Sequence, residues 1–515
     1  MKYLFLILFV ISTILGYSQE GKKFSSNKKF YLKGNSTIIG NSIVSTDATK
    51  PFNDASEIND VLKMEYVDVD DDASTFSSSQ ATLKLSEDAS NIKYAALYWS
   101  AVYKYDKGVR KIINFEKLVY DGKDERSTNV NSILFKQPNG NYNTLTGSII
   151  FDSYKTELFE DTKPYVCYAD VTSLLKNANT INGIYTVANI KATEGYVSGG
   201  VAGGWLLYVI YEDEAETAKY FTTYNGFVGV DKTATDIQFK NFKTDEVGNI
   251  KTSLLIGTLE GDQKYKTDNC AILDAEKKSF VLLSNKQRPG NNFFNSKITI
   301  EDETFLDRNP NSSNTLGFDV LKMSIPNENN NILSNNSSET TIRFKTRADG
   351  FYLFFVAFET EISPIYMEGK SNEDTLAVFE NEESTDTIEV EKEEEIIVGK
   401  PEVSEPVKTI KTETPKPKKK SGLERIESLK SINIPNLAKG YYLVTNVFSV
   451  KENADNWIKT LEEKGHLPKS YINPKNNWNY IYLDNNEDAS VIYQRQKELS
   501  KLDYFQDIWI LKINF

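Results

Sequence analysis

The sequence predicts a multidomain chain: a large all-β, sandwich-like N-terminal region, a disordered linker, and a small α+β C-terminal domain on a ferredoxin-like βαββαβ plan. Three observations predict it. Residues 28–365 repeat short apolar or alternating runs separated by Gly, Asn, Asp and Pro clusters. Residues 366–435 turn first acidic and then rich in Pro and Lys. Residues 436–515 give twice the order strand, amphipathic helix, strand.

The opening MKYLFLILFVISTILGYSQE places a lysine before an apolar run over residues 3–15, with small residues at Gly16 and Ser18. That order reads as a secretory signal peptide over residues 1–18. The run is shorter than the roughly 20 residues a membrane helix needs, and no later segment approaches that length. The expectation is an exported chain, periplasmic or associated with the outer membrane, with no membrane insertion after signal cleavage. A length of 515 residues exceeds what one core supports, so several domains are expected. The net charge of −13 argues against nucleic acid as a partner and against docking on anionic lipid. Two cysteines, Cys167 and Cys270, are too few for a disulfide framework, though an exported chain can pair them.

Within the β-rich region, ATLKL, KYAALYWSAVY, GWLLYVIYE, SLLIGTL and FYLFFVAFE read as strands from their length, their β-branched and aromatic content, and their flanking turns. VTSLLKNA reads as one short helix. A region this long predicts two packed β subdomains, with a boundary near residues 239–247. The block FENEESTDTIEVEKEEE, followed by GKPEVSEPVKTIKTETPKPKKKSG, has low hydrophobicity and runs of like charge. That is the composition of a disordered linker.

In the terminal domain, Ser449 and Glu452 have the spacing of a capping box, in which each side chain satisfies an orphan N–H. Ala454, Trp457, Ile458 and Leu461 then share one helix face, and Gly465 follows as the stop. A second helix starts after residues 484–486 and puts Ala489, Ile492 and Tyr493 on one face. Two helices with one apolar stripe each cover only one side of the sheet. Strand alternation sends Leu443, Thr445, Val447, Ile481, Leu483, Ile508 and Ile510 under the helices. It sends Tyr442, Val444, Asn446, Trp478, Tyr480, Tyr482 and Trp509 to the opposite, open face. An exposed aromatic face marks a binding surface. Rings with a few amides suit sugars; the same geometry serves single-stranded RNA, which the acidic charge disfavours. The predicted glycan-binding residues are Tyr442, Asn446, Trp478, Tyr480, Tyr482 and Trp509.

The run YYLVTNVFSVKENA, a strand ending in Phe that enters a Ser-capped helix, resembles the opening of the SPOR (sporulation-related) domain. The resemblance covers residues 436–515. It implies peptidoglycan as partner, above all glycan strands stripped of stem peptides, held on the open sheet face. It places Tyr442, Tyr480, Tyr482 and Trp509 at aromatic or glycan-facing positions. Val444 and Val447 stand where the family often has Gln and Ser, and Asp484, Asn485 and Asn486 replace the Gly-Pro-Phe that commonly ends the third strand. Separately, YVDVDDDASTFSSSQATL, IKYAALYWSA, GGWLLYVIYED and NPNSSNTLGFDV are similar to β-rich extracytoplasmic modules of Bacteroidetes surface and gliding-associated proteins. That second resemblance brings no chemistry with it.

Enzymatic motifs are sparse. The one histidine, His466, follows a helix stop and reads as a loop residue, which supports neither a Ser-His-Asp or Cys-His arrangement nor a zinc site. GGVAGG, over residues 199–204, lacks the Lys-Ser/Thr of a phosphate loop and enters a strand, so it reads as a tight turn. Asp68, Asp70, Asp71 and Asp72, and separately Glu260, Asp262 and Asp268, offer the oxygen ligands calcium wants, without its loop pattern. Solvated loops are expected, with no metal and no cofactor. The sequence thus predicts a non-catalytic periplasmic envelope protein that binds peptidoglycan and presents its β-rich region to another envelope protein or glycan. A cell-wall hydrolase carrying the same targeting module, and a surface adhesin, are the alternatives.

Overall fold

A computed structural model describes residues 21–370 and 422–514, apart from residues 71, 114–116, 124, 275–276, 428, 430, 449–450, 475–477, 503–504 and 506–507. The signal-peptide expectation and most of the linker expectation lie outside the described residues, as does Ser449 of the capping box. The chain divides into two compact units, Met1–Ser363 and Pro364–Phe515.

Runs such as KYAALYWSAVY are apolar at consecutive positions, which suits a strand buried on both faces. The N-terminal unit supplies that burial by layering sheets. Its largest sheet has eleven strands, in the order Ser148–Asp152, Pro164–Asp170, Ala89–Val102, Gly203–Asp213, Gly21–Ser42, Ala218–Val230, Phe351–Glu361, Thr252–Gly261, Gly317–Ser324, Ile298–Ile300 and Glu303–Thr304. The long strand Gly21–Ser42 joins its two halves: residues 21–33 pair with Ala218–Val230, and residues 34–42 with Gly203–Asp213. Successive side chains of Ala89–Val102 enter different cores, with Ala95, Leu97 and Trp99 in one and Tyr94, Ala96 and Tyr98 in the other. The first core closes against a five-stranded sheet through Ala81, Phe135 and Tyr185. The second packs the halves of the large sheet on each other, Tyr98 and Tyr208 lying 4.8 and 5.6 Å from the Phe355 ring. Beyond it, Phe358 stacks at 4.7 Å on Phe239 of a four-stranded sheet.

The sandwich expectation is met, and residues 239–247 lie inside the one compact unit Met1–Ser363. One strand serves both halves of the large sheet, so they form a single unit. The expected short helix is present at Thr172–Lys176. Cys167 and Cys270 are both buried and unpaired.

The C-terminal unit contains a four-stranded antiparallel sheet in the order Lys469–Asn473, Trp478–Asn486, Gly440–Phe448, Trp509–Ile513. Helices Lys451–Glu463 and Ala489–Leu499 pack on one face. The first buries Ala454 and Leu461 and packs Trp457 and Ile458 against the same core, the stripe read from the sequence. It ends at Gly465, whose φ of +84° lets its N–H reach Glu462 O and the His466 N–H reach Leu461 O. Asp488 caps the second helix by accepting from the Ser490 N–H at 2.8 Å, and Ala489, Ile492 and Tyr493 are buried. The unit also reaches further upstream than residue 436: Leu423, Ile426 and Leu429 join the helix-side core. Among the described residues, no helix is long and apolar enough to cross a membrane.

Candidate functional site

The sheet face away from the helices carries the predicted rings, and it is not open. Tyr442, Tyr480 and Trp509 are only 2, 7 and 4 % exposed. They form a second core with Val444, Val447, Leu511 and Ile513, covered by Ile365, Ile432, Ile434 and Leu437. The cover is tied down by Asn514, whose amide donates to Ile434 O and Leu437 O at 2.9 and 2.6 Å and accepts from the Ile434 N–H. Tyr442 donates to Ala438 O at 2.7 Å, and Tyr471 donates to Pro435 O. A helical turn at residues 364–370 lies so close to Trp509 that a Cβ on Gly369 would meet the indole at 2.9 Å. The Trp509 Nε1 is left buried without a partner. The expectation that Tyr442, Tyr480 and Trp509 are exposed is therefore overturned. The signal lay in INIPNL, whose alternating Ile432 and Ile434 mark an apolar strip that linker composition had masked.

Two further positions change face. The Gly440–Phe448 strand shifts register between Val444 and Asn446, so Val444 opposes Tyr482, Asn446 opposes Ile481 and Val447 opposes Tyr480. A β-bulge of this kind puts two consecutive residues on one side and inverts the alternation beyond it. Thr445 stays on the helix side, accepting from Trp457 Nε1 at 3.0 Å. Asn446 joins it there, opposite the helix-side residue Ile481, and Val447 moves to the aromatic face. What remains reachable on that face is the half-buried pair Trp478 and Tyr482, with Tyr471 and Lys469 on the neighbouring edge strand. The Lys469 ammonium lies 6.0 Å from the Tyr482 ring centre.

His466 sits in a loop, its ring 4.8 Å from Phe505, and partial burial lowers its pKa. The acidic loop near Asp68 is satisfied locally: Asp68 accepts from Ser78, Asp70 from Tyr142 and Asp72 from Ser74, while Asp71 lies outside the described residues. GGVAGG is the expected turn, with Gly199 and Gly200 at φ +87° and +90°. A Cβ on Gly200 would meet the Asn59 side chain at 2.5 Å, so glycine there admits Asn59.

That turn leads to a site that sequence patterns did not assemble. Neighbouring strands Ala218–Val230, Phe351–Glu361 and Thr252–Gly261 end together, with Val230 opposite Phe351 and Leu259 opposite Tyr352. Their ends, the Asn59–Val61 turn, Phe159 and Thr162 enclose a pocket of about 360 Å³. Its described lining holds five carboxyls, Asp60, Asp231, Glu260, Asp262 and Asp349, and no Lys or Arg. Glu260 sits at a register shift with φ +68°, in the left-handed region. Its Oε2 accepts from Asn59 Nδ2 at 2.8 Å, while Oε1 has no partner. Asp262 meets the Asp349 carboxyl and keeps Oδ1 unpartnered. Burial, reinforced by neighbouring acids, pushes Glu260 and Asp262 well above the usual carboxyl range; Asp60 and Asp349 are also raised, chiefly by burial. Phe159 and Tyr352 form an aromatic wall, their rings 5.0 Å apart, with the Tyr352 hydroxyl 2.7 Å from Thr162 Oγ1.

Other buried acids in this unit are matched. Asp319 pairs with Arg288 at 2.8 Å and accepts from the N–H groups of Asn295, Ser296 and Lys297. Glu359 pairs with Lys322 at 2.8 Å. Asp268 accepts from the Phe293 and Phe294 N–H groups, so it is separated in role from Glu260 and Asp262. Among the described residues, no group of three or more His, Cys, Asp or Glu is placed to hold a metal ion.

No family model and no curated protein matches the chain. Among solved structures, BuGH86wt in complex with neoagarooctaose is 11 % identical at a TM-score of 0.18, over 52 % of this chain and 32 % of that one. The chain therefore spans about a third of that protein's length. PNGase F, a glycosylasparaginase from Flavobacterium meningosepticum, is 11 % identical at a TM-score of 0.16, over 64 % of this chain and 96 % of its own. The STIV MCP is 8 % identical at 0.15, over 64 % and 98 %. At such TM-scores these likenesses carry no argument about fold or function.

Proposed function

We propose that this is a non-catalytic periplasmic envelope protein whose C-terminal unit, a ferredoxin-like module of the SPOR kind, holds peptidoglycan glycan strands. Its β-rich unit engages a second envelope component. One observation carries the reading: the half-buried rings of Trp478 and Tyr482 share the sheet face opposite the helices, on one strand with Tyr480 between them, and Lys469 pairs with Tyr482 and Tyr471 with Tyr480 from the neighbouring strand. Sugar C–H faces pack on such rings, and the adjoining hydroxyls and ammonium supply polar contacts. Tyr442, Tyr480 and Trp509 act as the floor that holds those two rings in place. The signal-like opening and the acidic charge support export and disfavour nucleic acid.

Co-sedimentation of the full chain with purified sacculi tests this reading, with the chain expected in the pellet. A chain that stays in the supernatant removes it. Clearing of sacculi on a zymogram would replace it with the hydrolase reading, with the carboxyl pocket as the place to look. Protease shaving of intact cells separates periplasm from surface: a protected chain is expected, and a shaved one favours the adhesin.

A further inference from the structure

The glycan reading makes no use of the carboxyl pocket, which carries its own chemistry. Protein interiors rarely leave buried polar atoms unpartnered, because each lost partner costs free energy of desolvation. Glu260 and Asp262 are 7 and 5 % exposed, and each keeps one oxygen without a partner. Two other buried acids are matched by cations, Asp319 by Arg288 and Glu359 by Lys322. Glu260 and Asp262 both line the pocket of about 360 Å³, and no Lys or Arg is part of its described lining. The left-handed backbone at Glu260 and the glycine-permitted approach of Asn59 hold one carboxyl in position at some conformational cost.

We propose that this pocket binds an organic cation, an ammonium or guanidinium group on an alkyl chain, with Glu260 and Asp262 as its counter-charges. Asp60 and Asp349 stand at its sides, and the rings of Phe159 and Tyr352 form the wall against which the cation packs. An aromatic face beside carboxylates is the environment that favours such groups. A divalent metal fits less well, because no three ligating side chains among the described residues are placed around one point. A neutral sugar fits less well too. It would bring hydroxyls to the acids but no positive charge.

The ionisable side chains around the pocket are Asp60 from the Asn59–Val61 turn, Asp231, Glu260, Asp262, Asp349 and Tyr352, with Tyr265 near enough to feel Asp60, Asp349 and Asp262. Asp319 also acts on Asp262. Burial favours the protonated forms of Glu260 and Asp262, so a cation must displace protons when it binds.

The test is calorimetric titration of the full chain with 1,5-diaminopentane and with agmatine at pH 8 and pH 5, in buffers of different ionisation enthalpy. Calcium chloride and a neutral chito-oligosaccharide serve as parallel arms. Saturable 1:1 binding of at least one cation is expected, with net proton release at pH 8 and affinity at least tenfold lower at pH 5. Glu260→Gln and Asp262→Asn should each weaken binding at least tenfold while sacculus co-sedimentation stays as in wild type. Should either variant fail to fold, Asp349→Asn is expected to weaken binding at least threefold. Absence of saturation by either cation in the folded wild type overturns the proposal. So does binding indifferent to the folded variants, or tighter binding of calcium or the oligosaccharide that the same variants abolish.

Discussion

In the C-terminal unit, the rings of Tyr442, Tyr480 and Trp509 lie beneath residues 432–438 and the turn at 364–370, whereas in the N-terminal unit Glu260 and Asp262 are buried beside open volume. Both places are built from residues that want a partner. The apolar face has found its partner within the unit, and the covering strip is hydrogen-bonded through Asn514. The acidic pocket has not. The contrast teaches that ring content alone does not locate a site; what matters is whether the chain itself satisfies the surface.

A covered ring should be indispensable to the C-terminal unit. Trp509→Ala removes a large buried side chain and should cost about 3–5 kcal/mol, read from denaturant unfolding of the C-terminal unit. A midpoint equal to wild type would return Trp509 to the surface. Asp319→Ala should cost a similar amount, about 3–5 kcal/mol, because it strands the buried Arg288 guanidinium. Leu461→Ala, at a position with 0 % exposure, should cost about 2–5 kcal/mol. If it melts like wild type, the first helix does not face the sheet as described.

Glu260→Gln sharpens the contrast because its sign is opposite to that of Asp319→Ala. Burial raises the Glu260 pKa in the fold, so its contribution to stability is fully present below about pH 4, the ordinary carboxyl range, and is lost as pH rises toward the folded value. Wild type should therefore lose stability relative to Glu260→Gln, by up to about 1.4 kcal/mol per pH unit, between pH 5 and 8. Urea midpoints of both proteins across that range check it. A difference that does not change with pH would contradict the buried, unpaired state. Smallest of all, Tyr482→Ala should cost only about 0.5–1.5 kcal/mol, the worth of its edge contact with Tyr442 at 5.1 Å.

Much of this was legible in the local pattern. The consecutive apolar runs gave away strands buried on both faces, and the helix stripe from Ala454 to Leu461 and the stop at Gly465 appear where spacing put them. Alternation placed Trp478, Tyr480, Tyr482 and Trp509 on one face, which they share. It failed at Asn446 and Val447, because a bulge inserts a residue without leaving a hydrophobic signature. It also carried no information on coverage, since Ile432 and Ile434 sit in a segment whose composition reads as linker. The carboxyl pocket was least legible. Glu260, Asp262 and Asp268 stood out as a local acidic cluster, but Asp268 turns to the Phe293 and Phe294 N–H groups, Asp60 and Asp349 join the other two only through the layering of the sheets, and long-range register leaves no trace in a short window.

The proposed glycan site is the pair of reachable rings, Trp478 and Tyr482, and not the covered ones. It is tested most directly by sacculus co-sedimentation of the full chain carrying Trp478→Ala and Tyr482→Ala together, with folding verified by circular dichroism. Each stacking contact is worth about 1–3 kcal/mol on comparable aromatic platforms, so loss of both should weaken binding at least tenfold. A folded double variant that pellets as well as wild type would contradict the claim and place the glycan elsewhere on the molecule.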